Sequence, residues 1–107
     1  MDKKVLIRSL KKLFCDLNQV GKRYSEVWIS DVDFGGLYHS DQYILHLRAA
    51  HPIRSRFKET AWIIKFLDEH AHEESKFIWR VQVHAADDKM YDAEDGILVY
   101  DEETLYK

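Results

Sequence analysis

Two histidines and two arginines, spaced by twos on alternating segments, are the residues of this chain whose types could do chemistry. Tyr43-Ile44-Leu45-His46-Leu47-Arg48-Ala49 alternates, and so does Phe77-Ile78-Trp79-Arg80-Val81-Gln82-Val83-His84-Ala85. Strand side chains point to opposite faces in turn, so His46 and Arg48 share one face with Arg80, Gln82 and His84. Ile44 and Ile78 fall on that side too, and Trp28 joins them in one of two facings open to its own strand. Guanidinium and imidazole groups on an open sheet face receive RNA or a peptide by stacking and charge-assisted hydrogen bonds. Histidine as general base, with arginine holding the phosphate, also suffices for metal-free cleavage of RNA. The expected binding surface is therefore Trp28, Ile44, His46, Arg48, Ile78, Arg80, Gln82 and His84.

A second cluster, Arg54, Arg56 and Lys58, crowds the start of a helix expected from Pro52 onward. Cations oppose the partial positive charge of a helix N-terminus, and a bound anion would reverse that penalty. These three residues form an anion-binding candidate, set against pairing with Glu59 or with acids from elsewhere in the chain.

Other constellations are thin. His70 and His72 lie among Glu69, Glu73 and Glu74, yet on a helix His70 and Glu74 face one way and His72 another. No HExxH or paired-cysteine spacing supports zinc, so no metal is expected. Asp31 and Asp33 share a strand face without the Glu-x-Lys partner that a nuclease core wants. There is no glycine-rich phosphate loop and no Gly-x-Ser-x-Gly elbow, and no cofactor is expected.

The elements that must position these residues are set by periodicity. Asp2 caps a helix from about Lys3 to Asn18, with Val5, Leu6, Leu10, Leu13, Phe14 and Leu17 on its apolar stripe and Gly21 as the stop. Glu26 to Phe34 is a β-branched and aromatic strand whose facing is open: either Val27 and Ile29 or Trp28 and Val32 point inward. Gly35-Gly36 and Ser40-Asp41 bracket a turn region before the strand Tyr43 to Ala49. The helix after Pro52 carries Ile53, Phe57, Ala61, Ile64, Leu67 and Ala71 as its core stripe, widened by Trp62, Ile63 and Phe66. The strand around Trp79 has the largest apolar load, which places it mid-sheet with Phe77, Trp79, Val81 and Val83 inward. Asp87-Asp88 and Asp95-Gly96 mark turns before a last short strand from Ile97 to Tyr100.

The expected architecture is α+β: a two-layer sandwich with a four-stranded antiparallel sheet and two helices on one face. Its element order is helix, hairpin, helix, hairpin, in a single domain over residues 1–107.

The chain has 46% hydrophobic and 33% charged residues, a globular profile. Its net charge of −3 divides unevenly. Residues 1–65 hold 12 Lys/Arg against 7 Asp/Glu, whereas residues 66–107 hold 4 against 12. No apolar run approaches the ~20 residues that span a bilayer, and no signal peptide is evident. The lone Cys15 excludes an internal disulfide and suits a reducing, cytoplasmic setting. The expectation is a small cytoplasmic, non-enzymatic binding module. Its open sheet face meets a protein partner or a second copy, a protein being preferred because the overall charge is negative. The alternative is a nucleic-acid binder or metal-independent ribonuclease using His46, Arg48, Arg80 and His84.

Overall fold

The first helix, α1, runs from Lys3 to Val20, and the Asp2 side chain accepts a hydrogen bond from the Lys4 amide at 3.3 Å. That contact satisfies one of the donors that a helix start leaves open. Leu6, Leu10 and Phe14 recur at four-residue steps and are buried, each burial stabilising the fold by about 1.5–3 kcal/mol. The computed structural model describes residues 2–34, 37–89 and 95–101, with backbone alone at 33–34 and 37–40. The Asn18 side chain ties the helix end to the next segment of chain. It accepts from the amides of Arg23 and Tyr24 at 3.0 and 3.3 Å and donates to the Tyr24 carbonyl at 2.7 Å.

Strand β1, Tyr24–Phe34, pairs antiparallel with β2, Leu37–Ala49, as far as Phe34 opposite Leu37. Gly35-Gly36 lies outside the described residues. Ser40-Asp41 marks no turn: it falls inside β2, where a register shift puts Asp31 opposite Tyr43 but Val32 opposite His39. The residues between His39 and Tyr43 are extra residues in the ladder, a bulge-like irregularity. Val27 and Ile29 point into the core and Trp28 to the other face, while Val32, beyond the register shift after Asp31, is buried too, so neither expected facing holds along the whole of β1.

Helix α2 spans Arg56–His70, and a one-turn helix α3 spans His72–Ser75. α2 therefore starts at Arg56 and not at Pro52, with Ser55 as its cap, the Ser55 side chain accepting from the Lys58 amide at 3.3 Å. Strand β3, Ile78–His84, then pairs with β2 in the parallel sense, and β4, Ile97–Asp101, pairs antiparallel with β1. The sheet order is β3-β2-β1-β4.

The α+β class, the helix order and the four-stranded sheet agree with the sequence. The sheet is mixed rather than antiparallel throughout, however, and the last two strands form no hairpin. The reason is the helix between β2 and β3: it carries the chain back along the sheet, so the next strand sets out in the same direction as β2. β3 is consequently an edge strand, not the middle of the sheet. β3 and β4 occupy opposite edges of the sheet and run in the same direction.

One core joins the layers. Leu6, Leu10 and Phe14 of α1 and Ile63 and Leu67 of α2 meet Val27, Ile29, Leu45, Leu47, Val83 and Val99 of the sheet. α1 packs over β4 and α2 over β3. Among the described residues no helix is long and apolar enough to cross a membrane.

Candidate interaction surfaces

The sheet face turned away from the helices gathers most of the residues expected there. Cross-strand register sets Trp28 opposite His46, Glu26 opposite Arg48, and Ile44, His46 and Arg48 opposite Arg80, Gln82 and His84. Ile78 does not join them. It lies opposite Tyr43, the register shifts before Ile44 meets Arg80, and Ile78 packs against the core. The same shift turns Trp79 out of the core, leaving it 49% exposed. Strict alternation fails at this one position because the ladder carries an extra residue there.

This face is more closed than the alternation implies. His46 is 0% exposed, its Nε2 lies 2.8 Å from Ser30 Oγ, and its ring centroid is 5.7 Å from that of His84. The Arg48 guanidinium pairs with Glu26 and donates to the backbone carbonyls of Ala86 and Asp88. Arg48 thus fastens the chain leaving β3 onto the sheet. The Asp88 amide donates to the Ala85 carbonyl at 3.1 Å, so the segment is a turn with its own backbone bond. Arg80 stays exposed.

The start of α2 keeps its three cations at the surface. Arg56 pairs with Asp88 and thereby shares in holding the β3 exit. Arg54 and Lys58 are exposed and make no ion pair among the described residues. Glu59 points the other way: it accepts from Arg23 Nε at 2.9 Å, Arg23 Nη2 at 3.2 Å and Tyr24 Oη at 2.8 Å. The Arg23 guanidinium also lies 3.4 Å from the Trp62 ring centroid, and Trp62 stacks on Phe66 at 5.3 Å. Burial first, and the Glu59 carboxylate second, push the Tyr24 phenol far above its ordinary range. Burial likewise raises the Cys15 thiol, which keeps it protonated and weakly nucleophilic.

Sequence periodicity missed a third surface. The stripe Phe57, Ala61, Ile64 faces outward, not inward, because α2 seats Ile63 and Leu67 in the core. Phe57 is 83% and Ile64 50% exposed. Ile64 and Leu67 line a groove of about 310 Å³ together with Ile78, Trp79, Arg80 and Val81 of β3. An apolar helix stripe, an apolar groove and the edge strand of the described sheet therefore adjoin one another. The breadth of the apolar run over residues 61–67 was the only sequence signal that α2 makes contact on more than one side.

His70 and His72 are directed apart, His70 against the Phe66 ring at 4.6 Å and His72 Nδ1 towards Asp68 at 3.2 Å. Among the described residues no three His, Cys, Asp or Glu side chains are grouped to hold a metal ion. Asp31 meets Lys3 at 3.4 Å; the Asp33 side chain lies outside the described residues. Comparison with protein-family models, with curated proteins and with solved structures gives no match.

Proposed function

We propose that this chain is a non-enzymatic protein-binding module that takes up an extended polypeptide strand along β3. The observation that carries this is the coincidence of a sheet edge with exposed apolar surface. Among the described residues β3 has β2 as its one neighbouring strand, so a row of its backbone amides and carbonyls faces away from the sheet. The chemistry that satisfies such a row is another strand. Side chains of that strand would enter the groove between Ile64 and Trp79, where burial of apolar surface supplies the driving force. Lys, Pro or a covering helix usually blunts an edge, and β3 between Ile78 and His84 has Arg80 as its one charged residue apart from the terminal histidine. A reducing, cytoplasmic setting suits the single thiol, that of the partly buried Cys15.

The opposite sheet face supports this role less well. His46 has no surface to offer a ligand, and Arg48 is occupied by Glu26 and two carbonyls. Catalysis on RNA from that face would require His46 to reach the solvent.

Selection of a displayed random decapeptide library on the immobilised chain tests the proposal. Peptides with alternating apolar residues should be enriched, and their binding should be lost in Ile64→Asp and in Trp79→Lys. Both positions are half-exposed, so melting curves close to the native one would confirm that the fold survives. Enrichment indifferent to both changes, or none at all, would overturn strand capture at β3.

A further inference from the structure

The occupant of the β3 edge can be narrowed, on the strand-addition reading just given, by asking what β3 and α2 complement. We infer that it is a second copy of this chain, joined β3 to β3 about a two-fold axis so that the two sheets continue as one.

Register favours such a pairing. An antiparallel pair centred on Val81 sets Arg80 of one copy opposite Gln82 of the other, Trp79 opposite Val83 and Ile78 opposite His84. No like charges meet, and an aromatic lies across from a β-branched residue, a favourable cross-strand pair. Centring on Arg80 instead would bring two guanidiniums face to face, so the sequence of β3 itself disfavours that register.

Charge on α2 favours it independently. This helix packs over β3, at the same edge, so pairing of the strands brings the two α2 helices side by side and antiparallel. α2 is polarised along its length: Arg54, Arg56 and Lys58 surround its start, and Asp68, Glu69 and Glu73 surround its end, all of them exposed, the three acids meeting only surface neighbours, His72, Lys65 and Lys76. Laid antiparallel, the basic start of each copy meets the acidic end of the other. Between these ends lies the outward stripe Phe57, Ala61 and Ile64, at steps of four and three residues, followed at the next step by Asp68. The helix N-terminus disfavours the cations that crowd it, and the carboxylates of a second copy would offset that penalty. Arg54 and Lys58, which make no ion pair among the described residues, are the cations available for it. Isologous contacts require such self-complementarity of one surface, and these residues supply it.

Two charge-reversed forms make the test. One carries Arg54→Glu with Lys58→Glu, and the other Asp68→Lys with Glu69→Lys. Sedimentation equilibrium over a concentration series should show the native chain as a dimer. Each reversed form alone should dissociate at concentrations at least about tenfold higher, since like charges across an interface are costly. An equimolar mixture of the two forms should restore the dimer, because each acidic start then meets a basic end. A native chain that stays monomeric throughout overturns the inference, as do reversed forms that associate like the native chain or a mixture that fails to recover. A monomeric chain that still captures library peptides through Ile64 and Trp79 removes the second copy while leaving strand capture intact.

Discussion

Ile64 of α2 and Trp79 of β3 line the same groove, and each leaves about half its surface in water. Neither belongs to the core, although helical and strand periodicity assign both to it. Ile63 and Ile78, one position earlier in each element, are the residues that pack inward. The β3 edge owes its exposed apolar surface to this one-residue offset.

Stability measurements test the offset directly. Ile63→Ala removes a fully buried side chain and should cost about 2–5 kcal/mol by lost transfer energy and the cavity left behind. Trp79→Ala should cost about 1 kcal/mol or less, in keeping with a half-exposed site. Denaturant titrations giving the reverse order would restore Trp79 to the core.

Alkaline pH should weaken the fold through Tyr24. Its phenol is held protonated by burial and by the neighbouring Glu59 carboxylate, so its folded pKa is raised. The folded state then binds the proton more tightly than the unfolded chain. The corresponding stability is complete below the ordinary tyrosine value of about 10 and is lost as pH rises from there towards the folded value. Tyr24→Phe should flatten this decline, while lowering stability at neutral pH by about 1–3 kcal/mol for the lost hydrogen bond to a carboxylate. Equal alkaline slopes in the two proteins would contradict the assignment.

Arg48 should act as a fastener for the β3 exit. Arg48→Met keeps much of the side-chain volume but removes the bonds to Glu26 and to the Ala86 and Asp88 carbonyls. A loss of about 1–3 kcal/mol is expected, with faster amide exchange over residues 86–89 than in β2. Unchanged exchange in that segment would show that other contacts hold it.

Much of the fold was legible from local pattern. The α1 stripe, except for Val5, which is exposed, the Asp2 cap and the inward alternation of Leu45 and Leu47 are all local effects that a distant segment need not decide. What periodicity could not supply was any consequence of pairing between distant segments. The extra residue near Trp79, the irregularity at Ser40-Asp41 and the parallel sense of β3 all depend on how one strand lies against another. The far-face cluster was found with seven of its eight members, Ile78 being the one that the register shift removes. Its closure was not foreseeable, because the carbonyls that occupy Arg48 belong to a turn about forty residues away. The bridging of Arg23 and Tyr24 by Glu59 was hidden for the same reason.

Amide hydrogen exchange, compared between dilute and concentrated solutions of the native chain, tests the central claim most directly. The two edge strands serve as reporter and control: β3, residues 78–84, and β4, residues 97–101. Protection should rise with concentration at alternate amides of β3, those facing away from β2, while β4 exchanges at the same rate in both samples. Protection that is independent of concentration in β3, or that rises in β4 instead, would contradict self-pairing at the β3 edge.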